Sequence, residues 1–266
     1  MRRRFREPVV KSRNRTQRSI GVSHPFRKRR EKDGARSIQK YGASEADPSI
    51  LYESALYARK ETPMFPFDAI LFDVGGVLLT DGWDRGERAA AVEHFDLEAE
   101  DLEARHVSIF ASWERDLIGL DAYLDATVFY RPRSFTRAEF FAFVLSQSKL
   151  LPGGALGILR EVAASHKCMV GALNNEARAT NEYRFKEFGL RECFQFAFSS
   201  CYVGLRKPEP AIYRRALDIL DRPAERVLFI DDRQQNVDGA AAAGMKAMRF
   251  TGADALRGEL EVLRVL

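Results

Sequence analysis

Short apolar runs that recur between helical patterns constrain this chain more than any other feature. Phe67–Val74 (FDAILFDV) leads straight into Gly75-Gly76, the pattern of a buried strand entering a tight turn. Similar runs return at Cys168–Leu173, Phe194–Ser199, Val227–Ile230 and Lys246–Phe250. Apolar residues at helical spacing mark Gly154–His166, Glu176–Phe188, Pro210–Leu220, Val237–Ala243 and Ala253–Leu263. Strands alternating with helices predict an α/β fold, a parallel sheet with helices on both faces.

One interval breaks the alternation. About ninety residues separate the first strand from the second, and they read as helical throughout: Glu87–Phe95, Leu97–Leu117, Leu120–Tyr130 and Arg137–Leu150. This predicts a helical cap over residues 81–150, inserted at the C-terminal end of strand one, with a core domain made of 64–80 and 151–266. Ligands bind at that end of an open parallel sheet, so an insert there can act as a lid.

Charge separates the remaining segment. Residues 1–63 hold 17 Lys/Arg and 7 Asp/Glu, a net of +10, so the body carries −6 and the chain as a whole +4. The tail has too few apolar residues to offset its ordering entropy and is expected to be disordered. It reads as a nucleic-acid or acidic-surface arm, as a targeting peptide (Glu7, Glu31 and Asp33 count against that), or as a segment outside the functional protein. The favoured expectation is a protein that begins at Met64. The acidic body argues against nucleic acid as a partner, except through the tail. Three unpaired cysteines, no secretory pattern and no membrane-length apolar run predict a cytoplasmic protein that neither spans a membrane nor depends on disulfides. Oligomeric state is unreadable.

Polar residues gather at the predicted strand ends. Strand one ends in Asp73, strand two in Asn174-Asn175, and strand four in Asp231-Asp232 with Asn236 shortly after; Lys207-Pro208 precedes a helix. In a parallel sheet these points lie along one edge. Carboxylates there make an oxygen-rich site for Mg²⁺. A lysine beside it can hold phosphate, and an Asp can itself be the nucleophile once the anionic substrate is neutralised.

Plainer readings stand beside these. Asp73-Val74-Gly75-Gly76 is also an ordinary turn, and Asp231-Asp232 can cap a helix. Asn174-Asn175 can be a cap as well, and a lone lysine is most often a solvated charge. In the insert, Phe110, Trp113, Tyr123, Phe129 and Phe140 read as core. His106, Glu114 and Arg115 are candidates for substrate contact, each of which taken singly reads first as surface or packing. The four histidines have no metal-ligand spacing, and no nucleophile elbow or P-loop is present.

Taken in order, the motifs resemble the haloacid dehalogenase-like hydrolase superfamily. Phe72-Asp73-Val74-Gly75-Gly76-Val77-Leu78 matches its first motif and Leu173-Asn174-Asn175 its second. Gly204 to Pro210 matches the third, and Phe229-Ile230-Asp231-Asp232 with Asn236 the fourth. The resemblance implies a Rossmann-like core with a helical C1 cap. Trp113-Glu114-Arg115 is similar to a cap segment of the branch that contains glucose-1-phosphate phosphatases and the N-terminal phosphatase domain of soluble epoxide hydrolases. It further implies Asp73 as nucleophile and Lys207 as its neutralising partner. Mg²⁺ would be held by Asp73, Asp232, the Gly75 carbonyl and Asp231, with Asn236 behind them. Phosphate would be bound by Gly75, Gly76, Asn174 and Asn175, and substrate by Arg115.

Two positions depart from the family pattern. Gly75 stands where most phosphatases of the family carry an acid–base Asp, worth typically ~10²–10⁴-fold. Asn174 stands where Ser or Thr is usual. The resemblance implies a Mg²⁺-dependent phosphatase acting on a small phosphorylated metabolite, most plausibly a sugar phosphate. Its alternatives are a phosphate- and Mg²⁺-binding module without turnover, and a 2-haloacid dehalogenase.

Overall fold

The computed structural model describes residues 65–266. The basic tail and the start expected at Met64 lie outside the described residues.

Five parallel strands, β1 (Ala69–Phe72), β2 (Met169–Ala172), β3 (Phe196–Ala197), β4 (Val227–Asp231) and β5 (Lys246–Arg249), form one sheet in the order β3-β2-β1-β4-β5. Period-two alternation sends neighbouring side chains to opposite faces. Ile70 and Phe72 of β1 join Leu228 and Ile230 of β4 on one face; Ala69 and Leu71 join Val227 and Phe229 on the other. Each face therefore needs its own cover.

Leu156, Leu159 and Val162 of α5 (Ala155–Ala164) pack on the first face, with Leu256 and Leu260 of α10 (Ala253–Val262). Ile212, Tyr213 and Ala216 of α8 (Pro210–Leu220) pack on the second, with Ala240 of α9 (Gln234–Ala242). Each buried Leu, Ile or Val among them contributes roughly 1.5–3 kcal/mol.

Four helices lie between β1 and α5: α1 (Arg85–Phe95), α2 (Ala99–Glu114), α3 (Leu120–Thr127) and α4 (Arg137–Ser146). They share a separate apolar cluster that includes Trp83, Trp113, Tyr123 and Phe140. Asp84 and Glu87 form a capping box at the start of α1, and Thr136 and Glu139 form one at the start of α4. The chain enters and leaves this segment at one place. Leu79 bridges Leu150, the Thr80 N–H donates to the Lys149 carbonyl at 2.9 Å, and the Leu151 N–H donates to the Leu78 carbonyl at 3.1 Å.

The remaining helices are α6 (Arg178–Glu187) and the short α7 (Ser200–Val203). The sequence pattern does not show α7, and β3 is shorter than its apolar run because Cys193 and Phe194 turn into the core after a 3₁₀ turn. Helix α9 starts three residues earlier than its apolar pattern, since Gln234, Gln235 and Asn236 form a polar first turn. No helix among the described residues is long and apolar enough to cross a membrane.

Candidate active site

β1 lies between β2 and β4, with Phe72 opposite Ala172 on one side and Ile230 on the other. That register brings Asp73 beside the next residues of both neighbours. A crevice at this topological switch point is where open α/β sheets bind ligands.

Lys207 Nζ sits 2.8 Å from Asp73 Oδ1 and 2.6 Å from Asp231 Oδ2. Lys207 is buried, and burial works against its charge. The two carboxylates outweigh that and hold its pKa above the ordinary lysine value. Asn175 fixes the Lys207 backbone from both sides, donating through Nδ2 to the Lys207 carbonyl and accepting the Lys207 N–H at Oδ1, each at 2.9 Å. The family-like turn before α8 thereby becomes a rigid mount for the ammonium.

The carboxylates differ in environment. Asp73 Oδ1 also accepts the Val74 N–H at 2.8 Å. Burial, reinforced by the charge of Asp231, pushes the Asp73 pKa well above the usual range against the pull of Lys207. Asp231 is also buried, yet Lys207, the Arg233 N–H and Asn236 hold its pKa below the usual range. Asp232 has the opposite character: burial and the charges of Asp231 and Asp81 push it up, and its Oδ1 has no hydrogen-bond partner among the described residues.

Asp73, Asp231 and Asp232 each offer an oxygen within 4.8 Å of the others, with Lys207 the ammonium among them. Carboxylates this close, one with an orphaned oxygen, fit a hard divalent cation. Gly76 keeps the space open. Its φ is +72°, and a Cβ there would meet the Asp232 carboxyl carbon at 2.5 Å.

Several candidate residues are engaged within the protein. Asn174 does not face the crevice: its Nδ2 donates to Asn181 Oδ1 at 2.9 Å and its Oδ1 accepts the Ser199 hydroxyl at 2.7 Å. Alternation at the strand end turns it behind the sheet while Asn175 faces forward, and both amide atoms of Asn175 are taken up by Lys207. The Gly76 N–H donates to the Leu79 carbonyl at 2.8 Å and closes the turn. The Gly75 N–H has no backbone acceptor among the described residues. Arg115 pairs with Glu209 and does not line the cavity. Asp231 accepts hydrogen bonds at both oxygens and so orients Lys207, while it remains one of the three clustered carboxylates. Asn236 orients Asp231 in turn, with Nδ2 3.0 Å from each oxygen.

A cavity of about 400 Å³ opens over Asp73, within the ~300–1,000 Å³ usual for small-molecule sites. Its far wall comes from the helical segment: Trp83, Arg88, His106, Phe110 and Glu114. Arg184, Arg206 and Arg233 also line it and were not singled out by sequence reasoning. Arg206 lies inside the third motif and Arg233 directly follows the fourth, a usable signal; Arg88 and Arg184 carry none. Arg206 pairs with Glu114, a carboxyl whose pKa burial raises. Asp81 Oδ1 lies 3.5 Å from where a Cβ on Gly75 would stand.

A family model for haloacid dehalogenase-like hydrolases matches residues 67–244. Flavin mononucleotide hydrolase 1 of Arabidopsis thaliana is 28% identical over 164 residues, 62% of this chain and 65% of that protein. Drimenol cyclase drtB of Aspergillus calidoustus is 37% identical over 67 residues, 25% of this chain and 13% of that one. The chain thus spans less than two thirds of the length of either relative. A Bacteroides thetaiotaomicron enzyme of the same family, solved with magnesium and inorganic phosphate, superposes with a TM-score of 0.60 at 21% identity, covering 69% of this chain and 93% of that one. At that identity the likeness is one of fold. With the four motifs brought to one sheet edge and the family matched over most of the described residues, the chain belongs to the haloacid dehalogenase-like hydrolases.

Proposed function

We propose that this hydrolase is a Mg²⁺-dependent phosphatase that transfers the phosphoryl group of a small phosphorylated metabolite, such as a sugar phosphate, to Asp73. The observation that carries the reading is the buried Asp73–Lys207–Asp231 chain at the cavity floor, with the unpartnered oxygen of Asp232 beside it. Asp73, Asp232 and the Gly75 carbonyl are the groups that would hold the metal. When bound, Mg²⁺ supplies positive charge against the phosphoryl oxygens and the nucleophile.

The protein's own groups account for the rest. An Asp73 oxygen attacks phosphorus, the ester oxygen leaves with the alcohol, and water then cleaves the aspartyl phosphate to release inorganic phosphate. Lys207 neutralises Asp73 and the incoming oxygens, and Asp231 and Asn236 keep its ammonium in place. The free Gly75 N–H suits a phosphoryl oxygen. With no carboxylate at Gly75, Asp81 is the side chain nearest that space and the candidate to move the proton. The helical segment 81–150 is the lid that excludes water over the site.

A second reading, metal and phosphate binding without turnover, is favoured by the same Gly75. Dehalogenation fits less well, because it leaves the Asp232 oxygen without a task. The test is phosphate release by the full chain from para-nitrophenyl phosphate and a sugar-phosphate panel, with and without Mg²⁺. Metal-dependent release that falls by about 10⁴-fold or more in Asp73→Asn supports the phosphatase. Mg²⁺ and phosphate binding with no release by the unmodified chain supports the second reading.

A further inference from the structure

His106 belongs to α2, lines the cavity, and is 7% exposed. Its Nδ1 is 2.7 Å from the Tyr123 hydroxyl, which accepts Trp83 Nε1–H at 2.7 Å. An indole N–H can only donate. The Tyr123 oxygen accepts from it and has its own proton to give, and His106 Nδ1 is the acceptor within reach. A neutral ring that accepts at Nδ1 carries its proton at Nε2.

A second proton, at Nδ1, would leave the buried Tyr123 proton without an acceptor among the described residues. Burial, reinforced by Arg88, accordingly holds the His106 pKa down to about 4, against the charges of Glu103 and Asp84. Arg206 acts in the same direction as Arg88. Phe110 stacks on the ring at 4.9 Å with 20° between planes, which fixes its orientation. Nε2 has no hydrogen-bond partner among the described residues, and the residue that carries it lines the cavity. The result is a fixed, uncharged N–H donor on a residue that lines the same cavity as Asp73.

The charges around that donor are already matched. Arg88 binds Glu103 through two hydrogen bonds and donates to the Trp83 carbonyl. Arg206 is paired with Glu114, Arg233 with Asp81 and Asp84, and Arg184 with Glu176. A second anionic group on a ligand would meet guanidinium charges already shared with carboxylates and would stand close to those carboxylates, whereas a hydroxyl needs only the free donor.

Resting on the phosphatase reading, we infer that His106 Nε2–H donates to an uncharged oxygen on the alcohol part of the substrate. His106 thereby selects monophosphate esters of polyhydroxylated, otherwise uncharged alcohols. Trp83 and Tyr123 are positioning residues that act through the His106 tautomer.

Two esters of similar ring size separate hydroxyl recognition from general packing: α-glucose 1-phosphate and cyclohexyl phosphate. In His106→Leu, kcat/KM for the sugar ester falls about tenfold or more while the cyclohexyl ester changes less than about twofold. His106→Gln, whose amide nitrogen can stand near Nε2, recovers part of the loss. Equal losses on both esters, or none on either, overturn the inference.

If the unmodified chain releases phosphate from neither ester, the phosphatase reading has failed for these substrates. The His106 inference is then read by ¹⁵N-histidine NMR of the full-length Asp73→Asn chain. The expected ring is neutral and protonated at Nε2 at pH 7, with a signal that moves on adding glucose 1-phosphate and not cyclohexyl phosphate. A ring charged at pH 7, one protonated at Nδ1, or a signal unmoved by both esters overturns it.

Discussion

The sheet edge and the helical wall face each other across one cavity, but they are built by different rules. At the edge, Asp73 and Asp231 follow hydrogen-bonded strand positions, and Lys207 is locked between them at 2.8 and 2.6 Å. On the wall, Trp83, Tyr123 and His106 come from separate segments and meet only because the aromatic cluster packs as it does. Backbone register places the reacting groups, and side-chain packing places the selecting groups. Changes within the locked Asp73–Lys207–Asp231 chain should therefore cost stability and chemistry together, and changes on the wall should mainly alter choice.

The strongest challenge to that contrast is Lys207→Met. It strands Asp73 and Asp231 in a buried site, and unfolding in urea should report a loss of about 3–5 kcal/mol. A loss below about 1 kcal/mol would mean that the edge is not electrostatically locked. Asp232→Asn comes next. Its Oδ1 has no partner to lose among the described residues, so stability should hold without metal while Mg²⁺ affinity by calorimetry drops at least tenfold, by about 1.4 kcal/mol or more. Parallel losses in both would make Asp232 a structural carboxylate.

The wall is tested by pH. The folded His106 pKa, about 4, lies below the ordinary 6.5, so the unfolded chain takes the proton first as pH falls. Its contribution is fully present above about pH 6.5 and declines toward pH 4, at up to about 1.4 kcal/mol per pH unit. The slope of unfolding free energy over that window should be shallower by that amount in His106→Leu. An unchanged slope would place the ring in water. The smallest effect is expected from Asp84→Ala. It removes the capping box of α1, for about 1 kcal/mol, together with an exposed pair to Arg233.

The same contrast explains what the sequence made legible. The strands and most helices follow from apolar periodicity, and Asp73, Asp231 and Lys207 stand out because strand ends collect at one edge. Asn174 and Asn175 could not be told apart without the folded chain, which turns one toward Asn181 and Ser199 and the other toward Lys207. Glu114 and Arg115 are neighbours in sequence but diverge at the end of α2, one toward Arg206 at the cavity and the other toward Glu209. The arginine pairs join residues as far apart as Arg206 and Glu114, so no local pattern foretells them. A lone histidine likewise gives no sign of its tautomer, which depends on a tyrosine 17 positions away.

The neck at Leu78–Thr80 and Lys149–Leu151 has a consequence for how such a chain can change. The outgoing and returning crossings are hydrogen-bonded to each other, and the buried Arg184 guanidinium binds the Thr80 and Asp81 carbonyls from the core side. The sheet therefore experiences some seventy intervening residues as though they were the loop of a single hairpin. Lengthening, shortening or exchanging that loop leaves one backbone junction with the core, while its other ties, such as Glu114 with Arg206 and Arg115 with Glu209, are side-chain pairs outside the strand register that positions Asp73.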